Sequence, residues 1–115
     1  MTVTEIKSKD GYQQLIKNYK LVIINAYVSW AGPSITISPH FEKLSNQMPY
    51  NPKKLVFAKL NIDELPDLAD EIGVQSVPTF FVYRDGVKKE TILMPSPERL
   101  KKMVIACIDQ ANEPE

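Results

Sequence analysis

The sequence predicts an α/β domain: a central mixed sheet, parallel strands followed by an antiparallel C-terminal hairpin, flanked by helices on both faces. Three observations point there. Residues 21–28 and 55–60 are too continuously apolar and β-branched to be one-faced, as expected of strands covered on both sides. Around them apolar residues recur at helical spacing, so strands and helices alternate as parallel crossovers require. Two further strand-like runs, 79–83 and 87–92, flank Arg84-Asp85-Gly86, and an Asp-Gly pair between such runs is a strong hairpin signal.

Taken in order, a weak strand over residues 3–6 opens the chain. Asp10 with Gln13 three positions on resembles a capping box, and Tyr12, Leu15, Ile16 and Tyr19 give the first helix its inner face. Residues 21–28 are the predicted sheet centre. Gly32-Pro33 ends that strand, and Ser34 is the predicted N-cap of a second helix whose apolar face is Ile37, Phe41, Leu44 and Met48. Pro39 lies inside that helix and should kink it. After a loop over 49–53, residues 55–60 form the next buried strand, and Leu65, Leu68, Ala69 and Ile72 mark a short helix closed by Gly73. Beyond the hairpin, Ser96 and Pro97 are placed as N-cap and first residue of a last helix with Leu100, Met103, Val104 and Cys107 inward. The tail, 112–115, is expected to fray, and residues 1–115 are expected to form one domain in the order β-α-β-α-β-α-β-β-α.

Composition narrows the function. A chain of 115 residues, 43% hydrophobic and 24% charged, has material for one core and does not read as disordered. Its 14 basic and 14 acidic residues cancel with no basic stripe, so neither nucleic acid nor an anionic membrane surface is an expected partner. No apolar stretch, Leu21 to Ile24 included, approaches the roughly 20 residues of a membrane span. With no leader pattern at the start, the expected location is cytoplasmic. The single Cys107 and single His40 allow no internal disulfide, no Cys- or His-based metal site and no Cys/His catalytic pair, and no cofactor is expected. Cys107 reads as a small buried hydrophobe and His40 as a surface or half-buried packing residue. The acidic run Asp63, Glu64, Asp67, Asp70 and Glu71 lacks the loop of alternating oxygen ligands that a calcium site needs and reads as a solvated helix face.

At Trp30-Ala31-Gly32-Pro33-Ser34, directly after a buried strand and opening a Pro-containing helix, the sequence resembles the thioredoxin family, whose motif there is Trp-Cys-Gly-Pro-Cys. The resemblance covers about residues 4–108. It includes Ala58-Lys59-Leu60-Asn61-Ile62-Asp63 in the middle strand, Val77-Pro78-Thr79 where the family has its cis-proline, Pro39, and the Asp85-Gly86 turn. It implies the thioredoxin fold.

Family chemistry needs a low-pKa thiolate at the helix N-terminus and a second thiol three residues on. Those positions hold Ala31 and Ser34, which can neither attack nor resolve a disulfide. The only base candidate for Ser34, His40, is six residues along the same helix, off the facing positions, so hydroxyl catalysis is not expected either. Where the family usually buries an aspartate, this chain has Asn25, similar in shape but unable to take the proton of a deeper cysteine. Met94 stands where a glycine commonly lines the peptide groove, and Ile35 where a lysine is usual.

Two functions follow. In the first, the chain is a redox-inactive, non-catalytic module that holds a protein or extended peptide in the old groove, formed by Trp30, Gly32, Pro33, Val77, Pro78 and Met94, with Val77 supplying a backbone edge and Trp30 an apolar anchor. In the second, it is a thioredoxin-type protein-disulfide reductase served by thioredoxin reductase, with both cysteines substituted by engineering. Engineering accounts for Ala31 and Ser34 but not for Asn25, Ile35 and Met94, so the first is favoured. A monomer or weak dimer is expected.

Overall fold

The computed structural model describes residues 3–114. Nine elements follow in chain order: β1 (Val3–Glu5), α1 (Lys9–Asn18), β2 (Leu21–Tyr27), α2 (Gly32–Gln47), β3 (Leu55–Asn61), α3 (Pro66–Ile72), β4 (Thr79–Arg84), β5 (Val87–Leu93) and α4 (Pro97–Ala111). The strands form one sheet ordered β1-β3-β2-β4-β5, with β2 at its centre. β1 and β2 run parallel to β3; β4 runs antiparallel to both β2 and β5. This is the fold class expected from the sequence. Among the described residues no helix is long and apolar enough to cross a membrane.

β2 is buried from Leu21 to Ala26, and its period-two alternation decides which core each side chain enters. Val22, Ile24 and Ala26 join Tyr12, Leu68, Ile72 and Phe81 on the α1/α3 face. Leu21 and Ile23 join Ile37, Phe41, Phe57, Phe80, Leu100 and Val104 on the α2/α4 face. There Phe41 packs on Phe57 at 5.3 Å and on Phe80 at 5.1 Å between ring centres, clamping α2 to the sheet. The same alternation puts Asn25 in the next slot of the α2/α4 face.

Two helix starts differ from expectation. Ser8, not Asp10, is the N-cap of α1: it is extended, and its Oγ accepts a hydrogen bond from the Gly11 N–H at 2.9 Å. Asp10 lies in the first turn, where a carboxylate suits the helix dipole, and Tyr19 is the C-cap. Ser34 is not the N-cap of α2; Ala31 is, without a side-chain hydrogen bond, and Ser34 sits within the first turn, buried. The reason is Pro33, which fits the first turn because it has no N–H to leave unpaired, and so draws the helix start back to Gly32.

The other ends match. Gly73 closes α3 in the left-handed conformation (φ 89°), and the Ser96 Oγ accepts from the Arg99 N–H at 3.2 Å. Asp85 and Gly86 both have positive φ, 52° and 81°, the mirror-image turn that suits a right-twisted hairpin. Asn112 caps α4, and the Glu113 N–H donates to the Gln110 carbonyl at 3.3 Å. Of the expected frayed tail, Glu115 lies outside the described residues.

Candidate functional site

The site lies at the carboxyl end of β2, where the chain leaves the sheet centre and turns into α2. In open α/β sheets ligands bind at such strand ends. Val28 is buried, whereas Trp30 is 73% exposed. Its ring is oriented all the same, because Nε1–H donates to the Asp63 carboxylate at 2.7 Å. Asp63 follows β3, and its own N–H donates to Asn61 Oδ1 at 3.0 Å, so the neighbouring strand fixes the anchor for the tryptophan.

Ala31 presents a methyl group at the head of α2, and the first turn carries neither an acidic residue nor a capping side chain. Ser34 faces inward, its Oγ accepting from the Val28 N–H at 3.4 Å. That contact ties the end of β2 to the start of α2. One turn further in, Ser38 Oγ accepts from the Asn25 amide at 3.1 Å. Asn25 is only 1% exposed, and among the described residues its Oδ1 has no partner. The unpaired oxygen destabilises the fold, but a buried carboxylate in the same place would carry a larger desolvation cost. Lys59, the register neighbour of Asn25 on β3, pairs with Glu42 of α2 at 3.9 Å.

Opposite the α2 N-terminus runs the segment before β4. The Val77–Pro78 peptide bond is cis, Pro78 is buried and Val77 half-buried. The Pro78 carbonyl accepts from the Met94 N–H at 2.9 Å, which holds the loop after β5 against it. Met94 is left-handed (φ 43°) and 54% exposed. Only glycine adopts that conformation without strain, so the backbone here has the shape expected of the family's glycine while bearing a methionine side chain. Between the two segments lies a shallow groove of about 300 Å³, lined by Pro33, Thr36, Ile37, Pro78, Met94 and Pro95 and ending at Pro97. No charged side chain lines it.

Of the residues expected to form the groove, Pro33, Pro78 and Met94 line it; Trp30, Gly32 and Val77 do not, Gly32 and Val77 adjoining Pro33 and Pro78 in the chain and Trp30 standing three residues before Pro33. Sequence reasoning missed Asp63 as the partner of Trp30 and Ser38 as the partner of Asn25. Nothing local links Asp63 to a tryptophan 33 residues away. Ser38 was within reach, since Ser34 and Ser38 are four apart on α2 and so share the face turned toward β2. His40 is exposed on α2, and Cys107 is buried in α4. Burial, with a smaller push from Glu90, raises the Cys107 thiol to about 12, and its Sγ lies 3.9 Å from Met103 Sδ.

A five-stranded mixed sheet covered on both faces, with a Trp-Ala-Gly-Pro turn at the head of α2 facing a Val-Pro loop, defines a protein of the thioredoxin fold. Comparison with known proteins narrows this to a family. The thioredoxin family model matches residues 3–106, and the chain belongs to the thioredoxin family. It is 35% identical to thioredoxin of Coprinus comatus over 102 residues, covering 89% of this chain and 94% of that one. It is 31% identical to thioredoxin-1 of Schizosaccharomyces pombe over 104 residues, covering 90% and 97%. Among solved structures, Plasmodium falciparum thioredoxin superposes with a TM-score of 0.82 at 29% identity, covering 90% of this chain and 98% of that one.

Proposed function

We propose that this chain is a redox-inactive thioredoxin-like protein that holds an extended peptide or protein segment non-covalently in the groove between α2 and the Val77–Pro78 loop. The observation that carries this is the state of the two motif positions: Ala31 ends in a methyl group, and Ser34 is buried with its hydroxyl accepting from Val28. Neither offers a nucleophile to a disulfide, so electrons cannot pass through the site. What the site does offer is adhesive surface. Trp30, Ile35, Leu93 and Met94 are among the exposed large hydrophobic residues, and they cluster at this end of the sheet. Apolar side chains held on a rigid frame suit an interface centre. Val77 is not among the residues whose backbone groups bond within the described chain, which leaves an edge for strand addition.

A disulfide reductase with substituted cysteines accounts for Ala31 and Ser34 but leaves Asn25, Ile35 and Met94, each a departure from the residue usual in the family, without a reason. The deciding experiment pairs a binding assay with a rescue assay. Titration with extended apolar peptides, followed by amide shifts at Trp30, Val77 and Met94, should show saturable binding that dithiothreitol leaves unchanged. Insulin reduction by the Ala31→Cys/Ser34→Cys variant should stay well below that of a thioredoxin control, with or without Asn25→Asp. Near-control turnover by the two-cysteine variant, with no peptide-dependent shifts in the parent protein, would overturn the proposal.

A further inference from the structure

The groove does not end blindly at Pro97. A second cleft, of about 380 Å³, starts from the same residue and follows the seam between α2 and α4. Leu44 and Met48 give it an apolar floor, and His40, Lys43, Lys101 and Glu98 stand around it. On α2 the positions that line the two clefts run Pro33, Thr36, Ile37, His40, Lys43, Leu44 and Gln47. These steps of three and four residues trace a single helix face. The two clefts therefore lie end to end along that face, and together they form a track spanning about 21 Å at the roughly 1.5 Å rise of a helix.

Its chemistry changes along its length. The upper half has no charged side chain, whereas the lower half sets Lys43 and Lys101 against one carboxylate, Glu98, with the His40 imidazole beside them. Neither lysine makes an ion pair among the described residues, although Lys9, Lys59 and Arg84 do so elsewhere in the fold. A partner lying along the whole track would press cations against apolar surface, and only an acidic flank compensates them. We infer that the track takes a single partner segment: an extended peptide whose apolar stretch occupies the groove and whose adjoining acidic stretch lies over the cleft between α2 and α4. This presupposes the peptide-holding function proposed above and adds the class of partner.

The test is selection of random peptides of about 12 residues, long enough to span the track when extended, on the immobilised full chain. Selected peptides are then titrated against the parent protein, Lys43→Glu/Lys101→Glu, Lys43→Gln/Lys101→Gln, Trp30→Ala and the groove-lining variant Met94→Gly, each checked for an unchanged circular dichroism spectrum. The expected peptides carry Asp or Glu beside an apolar run. The Glu variant should weaken them about tenfold and flatten the salt dependence, the Gln variant should fall between, and Trp30→Ala should also weaken them, since exposed charge pairs contribute a few-fold each. Peptides that need Trp30 but show no acidic bias, or that lose less than twofold in the Glu variant, overturn the acidic track and leave the groove standing. Peptides indifferent to both Trp30→Ala and Met94→Gly, or no selected peptides at all, overturn the groove function and the track with it.

Discussion

At the scale of single residues the site combines strain with neutrality. Met94 holds a left-handed backbone at a position where a side chain costs about 1 kcal/mol relative to glycine. Met94→Gly is expected to raise the midpoint of thermal unfolding by a few degrees while weakening peptide binding, because it relaxes the backbone and removes apolar surface at the groove. Calorimetry beside titration checks both halves, and a glycine variant that is less stable would show that Met94 packs rather than strains. Cys107 offers a pH test. Burial raises its folded thiol to about 12, above the usual range near 8.5 to 9 of an unfolded one, so the folded state retains a proton that the unfolded chain releases. The stabilisation is complete below the unfolded value and is lost as pH rises from there through the folded value, at up to about 1.4 kcal/mol per pH unit. Tyr83 and Tyr27, both raised first by burial, add to the decline above their ordinary value of 10.0. Cys107→Ala should flatten the part between about pH 8.5 and 10, measured by urea unfolding, and the native protein should resist thiol reagents until it unfolds.

At the scale of elements, caps show how far sequence reaches. The last helix was legible to the residue, because Ser96 and Pro97 form a local signal that nothing nearby contradicts. The first helix was legible in extent but not at its start: Ser8 and Asp10 are both good caps, and only the extended backbone at Ser8 decides between them. Ser8→Ala should destabilise the fold by about 1 kcal/mol, and Asp10→Ala by a few tenths, since the latter loses only a dipole contact. Chemical denaturation of the two variants distinguishes them, and the reverse ranking would return the cap to Asp10. The start of α2 was misplaced for a related reason. Serine is a strong cap by type, but here Pro33 takes a first-turn position and Ser34 rotates into the core to meet Val28. Propensity describes an isolated turn, whereas this turn is set by the strand beneath it.

At the scale of the whole molecule, the groove exists because two independently packed faces of one sheet end at the same edge. The central strand and its parallel neighbour β3 were readable from continuous apolar runs, since burial on two sides leaves no room for polar alternation, and the crossover helices from apolar residues at helical spacing. Of the contacts that finish the site, Asn25 with Ser38 joins consecutive elements and was within reach of the helical spacing of Ser34 and Ser38, whereas Trp30 with Asp63 joins segments brought together only by the sheet order, and no local pattern encodes it. This division predicts that stability and binding separate cleanly. Phe80 is fully buried and packs on Phe41, so Phe80→Ala should cost about 3–5 kcal/mol, a large part of the roughly 5–15 kcal/mol that holds a domain of this size together. Trp30 stands in solvent, and Trp30→Ala removes mainly its hydrogen bond to Asp63, which should cost less than about 1 kcal/mol while reducing peptide affinity at least tenfold. Unfolding curves and peptide titrations of both variants test the separation. If Trp30→Ala unfolds the domain as readily as Phe80→Ala, the tryptophan is a structural lid over the end of the sheet, and the surface that meets a partner must lie further along α2.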